Sequence, residues 1–282
     1  MDTGAGRASA RQLPGGLGAP GALARDYAFR ALDGALELAL AEAGAAACHT
    51  PDAVTRTLCA ALASLAGAPP STERVAALCV ADRQVLMREL ATRLGVQRRW
   101  LSAACGACRA RFDLQLDVAE LPTKPAGPAF PQPCIEWQGR AYRLRVPCGA
   151  DQAWLADAGL AAGDAARALA ARLVVAIDGQ PADGLAAGVP HEAWLAAADA
   201  ALDEAAPALA TEALAACPEC GHANAVPLDP YGALGTGSAA LLDDVHRLAS
   251  HYHWSERDIL ALPRTRRLDY LRRIDAERGV MH

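Results

Sequence analysis

Lysine is almost missing from this chain: Lys124 is the only one among its 27 basic residues. A GxxxxGK[ST] phosphate loop is therefore absent, and arginine usage is a habit of the whole chain rather than the mark of a phosphate site. Neither a GxSxG elbow nor an HExxH helix occurs, which removes the commonest hydrolase and metalloprotease signatures. No uninterrupted apolar stretch is long enough to span a bilayer. Aromatic residues make up only 5% of the chain, so its core must rest on aliphatic side chains and alanine. No secretory signal precedes the nine cysteines, and their odd number and uneven spacing fit no disulfide framework. A reduced, cytoplasmic setting is expected. The net charge of −5 argues against a dedicated nucleic-acid binder.

What is present is 282 residues with ample hydrophobic content, enough for two small domains or one elaborated one. Alanine richness tilts the expectation toward helix. Residues 1–20, rich in Gly, Ala and Pro without periodicity, are expected as a disordered lead-in. Helical patterning is read from Ala22 through Phe29, Leu32, Leu36 and Leu40, and again after Thr50-Pro51-Asp52 through Val54, Leu58, Leu62 and Leu65. A third helix carries Val85, Leu86, Leu90 and Leu94, with Gly95 as its stop. The period then changes to two: Phe112 to Val118 alternates as a half-buried strand must.

Leu121 to Pro133 holds five prolines and reads as an extended loop. Ile135 and Trp137 before Gln138-Gly139, with Tyr142, Leu144 and Val146 after it, give a β-hairpin. Helices follow near 151–158, 163–177 and 190–205, the last entered through Pro190. Residues 208–228 then supply further strands. After Pro230 a glycine-rich loop leads to an amphipathic helix with Leu241, Leu242, Val245, Leu248 and Tyr252 on one stripe. Ser255 with Asp258 caps a short helix, and a last helix turns Leu268, Leu271 and Ile274 inward.

Two cysteine knuckles organise these segments: Cys105-Gly-Ala-Cys108 and Cys217-Pro-Glu-Cys220-Gly221. Two residues between the cysteines let both sulfurs of a knuckle turn toward one point. Four thiolates complete a tetrahedral Zn²⁺ and leave no open position, so the expected site is one structural zinc on Cys105, Cys108, Cys217 and Cys220. The span between the knuckles is long for a zinc ribbon, and it would clamp the end of one domain to a distant segment. Cys48, Cys59, Cys79, Cys134 and Cys148 read as small apolar fillers.

The predicted class is α+β, mostly helical, with a central zinc-ribbon-like β unit and a C-terminal three-helix tail. Its parts are the lead-in 1–20, a helical domain 21–104, the β unit 105–230 with a helical insertion at about 151–206, and a helical tail 231–282.

Other chemistry-bearing groups yield to plainer readings. His246, His251 and His253 lack the i, i+4 spacing of a second metal site. His222 is a weaker ligand than the four thiols. Gly235-Thr236-Gly237 follows a loop rather than a strand, so it is a turn and not a dinucleotide fingerprint. Arg264, Arg266, Arg267, Arg272 and Arg273 are interleaved with Asp258, Asp269, Asp275 and Glu277, as on a solvated, salt-bridged face. Three C-terminal helices nevertheless keep a zinc-ribbon plus helix-turn-helix DNA-binding regulator as the alternative. Tyr252, His253 and Trp254 fall between a helix and a capped turn, where a large ring is difficult to bury, and are the candidate partner contacts.

Several segments, taken in order, resemble one family. They are Ala81-Asp82-Arg83 with Leu86, Leu90 and Gly95; Cys105 to Cys108 with the strand Phe112–Val118; and Tyr142-Arg-Leu-Arg-Val-Pro147 with Asp151. Cys217 to Gly221 leading to Leu228-Asp229-Pro230 follows, then Val245-His-Arg-Leu248, Tyr252-His-Trp-Ser-Glu256, Ile259-Leu260-Ala-Leu262 and Arg266-Arg267 through Tyr270-Leu271. The chain is similar to baseplate-hub assembly proteins of contractile tails, the family named for the T-even phage hub assembly chaperone and also encoded in phage-tail-like injection clusters. The likeness spans about residues 75–278 and departs in the long lead-in and the proline-rich 122–133. It implies a non-enzymatic role, hub or spike proteins as partners, and a place in the cytoplasm during assembly or in the finished particle.

Overall fold

The computed structural model describes residues 12–185, 191–231, 238–277 and 279. It is a mixed α and β chain with several small antiparallel sheets. The N-terminal part holds β1 (Gln12–Leu17), β2 (Ala24–Phe29), α1 (Gly34–Ala45), α2 (Thr50–Ala61), β3 (Leu62–Leu65), α3 (Thr72–Ala77) and α4 (Val80–Arg93). Its strands form an antiparallel sheet in sequence order. Leu13, Val54, Leu58, Leu62, Leu65, Leu86 and Met87 meet in its core.

Three expectations are corrected here, the first being that the helix read through Leu62 and Leu65 ends at Ala61, where β3 begins and pairs with β2. The lead-in is not all disordered, because residues 12–17 are a strand. The helix read from Ala22 starts only at Gly34, after β2. The reason is tertiary: Asp82, fully buried on α4, accepts the backbone N–H groups of Gly15 and Gly16 at 2.8 Å each. Gly16 adopts φ +97°, a conformation that favours glycine. A Gln-Leu-Pro-Gly-Gly-Leu segment thus becomes a strand through a carboxylate 67 positions away. On α2 the N-cap is His49, whose Nδ1 accepts from the Asp52 amide, and Thr50 opens the helix.

The chain continues through β4 (Arg98–Ala104), β5 (Arg111–Asp117), a 3₁₀ turn (Val118–Glu120) and β6 (Thr123–Lys124). β4 pairs along its full length with β5. An inserted unit follows: β7 (Cys134–Trp137), β8 (Arg140–Leu144), α5 (Gly149–Ala158), α6 (Ala162–Arg172), β9 (Val174–Ile177), β10 (Gln180–Pro181) and α7 (Glu192–Ala205). Within the expected helical insertion, about 151–206, α5, α6 and α7 are joined by β9 and β10, which extend the sheet of the β7–β8 hairpin. Its sheet runs β10-β9-β8-β7, and the helix expected over 163–177 gives way to β9. Ile135, Leu144, Val174, Trp194 and Ala198 fill its core. Pro190, the expected entry to α7, lies outside the described residues.

β11 (Ala208–Leu209) pairs with β6, and the Ala210 amide donates to Pro122 O at 3.0 Å. The neck of the insertion is thereby closed, and the chain returns beside its point of departure. β12 (Glu212–Ala216) and β13 (Ala223–Pro227) form the second hairpin. The glycine-rich stretch with Gly235-Thr236-Gly237 lies outside the described residues. α8 (Ala239–Tyr252), α9 (Glu256–Leu260) and α10 (Arg264–Glu277) share a core of Val245, Leu248, Ile259, Leu271 and Ile274. Of the cysteines outside the knuckles, Cys79 is buried and Cys59 and Cys148 are half-buried. Cys48 and Cys134 are exposed, so they do not serve as the expected fillers.

Candidate metal centre

Each knuckle is the turn of a two-stranded hairpin: Cys105 to Cys108 joins β4 to β5, and Cys217 to Cys220 joins β12 to β13. The two turns are built alike from different sequences. The Cys105 amide donates to Ala110 O and the Cys217 amide to His222 O, both at 2.9 Å. Arg109 donates back to Cys105 O, and Gly221 to Cys217 O. Arg109 and Gly221 both take positive φ, +66° and +72°, to aim the knuckle amides inward. In each knuckle the first cysteine is buried and the second exposed.

The four Sγ atoms lie within 4.8 Å of one another. Cys105 Sγ to Cys220 Sγ is 3.6 Å, and Cys108 Sγ to Cys217 Sγ is 3.7 Å. A tetrahedral metal with bonds of about 2.3 Å requires sulfurs about 3.8 Å apart. The donor set therefore fits a tetrahedral ion, and the pairing crosses between hairpins, so neither knuckle could complete the site alone.

The surrounding dipoles favour thiolate. The backbone amide of Cys108, then that of Ala107, holds the Cys105 thiol down at about 6. For Cys108 the Ala110 amide acts in the same direction, but the neighbouring thiols and burial win and push it up to about 12. Four sulfurs this close cannot all ionise unless a cation balances them, which is what a bound metal supplies.

One contributor was invisible in the sequence reading. Asn224, on β13, sends Oδ1 to the Gly106 amide at 2.9 Å and Nδ2 to His222 O at 2.8 Å. Its Nδ2 also approaches Cys105 Sγ at 3.8 Å. It therefore staples one knuckle to the other beneath the sulfurs. Its signal was an asparagine two residues after His222 in an otherwise apolar strand. His222 contributes its carbonyl, and its ring is not part of the thiol cluster.

The other candidate residues lie far along the chain. Tyr252 stacks on Trp254 with ring centroids 4.8 Å apart, and Tyr270 sets its edge against both, at 5.5 and 4.9 Å. Tyr252 and Trp254 are half-buried, whereas His253 is exposed in a left-handed cap at φ +55°. His251 sits 3.3 Å from Glu277, and His246 is exposed.

The α10 arginines are largely engaged. Arg264 and Arg267 both donate to Glu37 of α1, Arg247 of α8 pairs with Asp275, and Arg272 meets Asp269 at 2.7 Å. Among the described residues no helix is long and apolar enough to cross a membrane. Compared with protein-family models, curated proteins and solved structures, the chain has no match.

Proposed function

We propose that Cys105, Cys108, Cys217 and Cys220 hold one structural Zn²⁺ in a zinc-ribbon-like unit, and that the protein is a non-enzymatic assembly component of a contractile-tail baseplate hub. The observation that carries the metal reading is the cross-hairpin thiol cluster with its tetrahedral spacing. Zinc suits an all-thiolate donor set, and a site closed by four sulfurs leaves no position for water or substrate. The chemistry it supplies is a clamp. Two hairpins that share one small core, of Phe112, Val226, Cys105 and Cys217, would be fixed at one end by the metal, and β6 and β11 pair at the other.

The hub reading rests on the family likeness and on the half-buried aromatic cluster of α8–α10, residue types that anchor protein interfaces. The DNA-binding alternative requires a continuous basic face, and the ion pairs of Arg247, Arg264, Arg267 and Arg272 support the scaffold instead.

The test is direct. Protein purified in reducing buffer should carry one zinc per chain, and Cys217→Ser should carry none. Well under one zinc in the wild type removes the metal reading. For the hub role, the full chain should co-purify with hub or spike proteins and Trp254→Ala should not, while its zinc content stays unchanged. Undiminished capture by the variant places the contact elsewhere, and salt-sensitive DNA binding at micromolar concentration would favour the regulator.

A further inference from the structure

β4 and β13 lie side by side without pairing. At the knuckle end Asn224 bonds Gly106, and at the far end Arg99 Nη1 donates to Asp229 O at 3.2 Å. The two strands therefore run in opposite directions along one groove, yet β4 pairs with β5 and β13 with β12. Among the described residues no backbone hydrogen bond joins β4 to β13. The groove encloses about 470 Å³ and is lined by residues 101–104 and 222–227 together with Gly106.

The register shows which backbone groups face it. Val118 donates to Gln97 O and Cys105 to Ala110 O, so the odd residues of β4 spend their hydrogen bonds on β5. By the alternation of antiparallel ladders, Trp100, Ser102 and Ala104 turn their N–H and C=O groups toward the groove. On β13 the bonds from Cys217 to His222 O and from Leu228 to Thr211 O fix the opposite parity. Ala223 and Ala225 present N–H and C=O to the groove, and Pro227 presents a carbonyl alone.

Two open strand edges thus confront each other across a cleft lined by small side chains, with no carboxylate, lysine or arginine among the lining residues. The outer face beside it is mixed: Trp100 is 69% exposed and Leu214 is 84% exposed, Ala104, Ala216, Ala223 and Ala225 are exposed on the same side, and Ser102, Arg111, Asp113 and Glu212 share it. Pairs of unpaired edges are templates for an added strand.

We infer that this groove is a docking site for an extended, uncharged peptide segment of a partner protein. The segment pairs with the edges of β4 and β13 and lays its apolar side chains beside Trp100 and Leu214. The inference goes beyond the proposed assembly role. It relies on the metal only for holding the two hairpins together.

The test uses the full chain, zinc-loaded, and a capped heptapeptide of alternating valine and threonine. Bound peptide should slow amide exchange at Trp100, Ser102, Ala104, Ala223 and Ala225 at least tenfold, leaving Leu101 and Ala103 unchanged. Ser102→Pro and Ala225→Pro each delete one outward donor and should weaken binding at least tenfold, with circular dichroism and zinc content retained. If a proline variant loses zinc or fold, Trp100→Glu replaces it, since it buries a charge under the peptide and leaves the ladder intact. An alternating lysine–threonine peptide should not bind.

Absent protection at millimolar peptide in a zinc-loaded sample overturns the inference and leaves the metal reading standing. Protection that rises with protein concentration and needs no peptide also overturns it, and assigns the edges to a second copy of this chain. A sample without zinc defeats the metal reading separately.

Discussion

Two junctions hold distant parts of this chain together, and they use opposite physics. At one, four thiols bring hairpins 109 to 115 positions apart onto a single point. At the other, Glu37 on α1 receives Arg264 and Arg267 from α10, across 227 and 230 positions. On the proposed metal reading, the thiol junction draws most of its strength from the ion, with the Asn224 bridge and a small shared core as its support within the chain. The arginine junction needs no ion, although Arg267 Nε and Nη1 are buried without hydrogen-bond partners. Arg267 is 1% exposed, and its guanidinium lies against Gly34, where a Cβ would sit 3.0 Å from Nη1. A metal clamp can be withdrawn by a chelator or by acid, whereas the arginine clamp is fixed once folded. On the proposed metal reading, the protein has one junction that depends on metal supply and one that does not.

The largest effect comes from breaking the first junction. Structural zinc contributes about 10 kcal/mol or more in small domains, most of it as folding free energy. Cys217→Ser, or chelation of the wild type, should raise amide exchange throughout β4, β5, β12 and β13 toward the unfolded rate. The N-terminal core around Leu58 and Leu86 should remain protected. Unchanged exchange in the hairpins after complete metal removal would show that their contacts suffice without the ion.

Breaking the second junction should cost less. Glu37→Ala leaves Arg267 buried with only Asp244, 3.7 Å from its Nε, as counter-charge. Stranding a buried charge costs roughly 3–5 kcal/mol, and the residual Asp244 places this case near 3 kcal/mol. The Arg264 contact, 30% exposed, adds little to that figure. The Arg267→Met variant should be milder than Glu37→Ala, since it removes the charge along with its partner. Urea unfolding followed through the exchange of α8 and α10 gives the ranking, and the reverse order would deny that desolvation governs this contact.

A third ion-pair site sharpens the comparison through pH. Asp151 is 1% exposed and receives Arg145 at 2.5 and 2.6 Å and Arg172 at 2.9 Å. Burial alone would raise its carboxyl, but the bonds from Arg145, the Cys148 amide and Arg172 outweigh burial and hold it well below the usual carboxylate range. A folded-state value below the unfolded one means stability that is fully present above about pH 4 and lost as the pH falls further. Asp151→Asn should cost about 2 kcal/mol at pH 7, discounted because Arg145 and Arg172 are 28% and 40% exposed. It should also flatten the loss of stability below pH 4. An unaltered acid profile would remove Asp151 as its source.

How legible these junctions were differs for a physical reason. The thiol site was readable because CxxC spacing is local and its chemistry narrow. The hairpin around Gln138-Gly139, the start of α9 at Ser255 and the face of α8, apart from Leu242, which is 45% exposed, were readable on the same ground. Asp82, Arg83, Asp151 and Arg267 were not, since each is a charged residue that the pattern of a surface helix also allows. Their burial is decided by partners far away, such as Gly15 for Asp82, or Pro51 O, Val75 O and Thr55 for Arg83. β1 was lost for this reason, because its sequence favours no strand and only Asp82 and β2 impose one. β9 was lost for another, because Val174 to Ile177 follows α6 with no breaker and the helical reading ran on. The long span between the knuckles became intelligible only when β6 and β11 closed the neck of the insertion.

The smallest expected effect tests whether the thiol junction has any support of its own before the ion binds. Asn224 links the knuckles through the Gly106 amide and His222 O, and its Nδ2 reaches toward Cys105 Sγ. Removing a buried bridging amide leaves the Gly106 donor without its partner, at about 1–2 kcal/mol. Residues that orient ligands typically alter metal affinity about 10- to 100-fold, so Asn224→Ala should weaken zinc near the low end of that range. The fold of the zinc-saturated variant should be retained. Asn224→Asp keeps an acceptor for Gly106 but sets a carboxylate beside the thiolates, and should weaken zinc further than alanine does. Competition against a chromophoric chelator measures all three proteins on one scale. If alanine binds zinc as tightly as asparagine, the knuckles are aligned by the ion alone and the hairpins meet only when it is there.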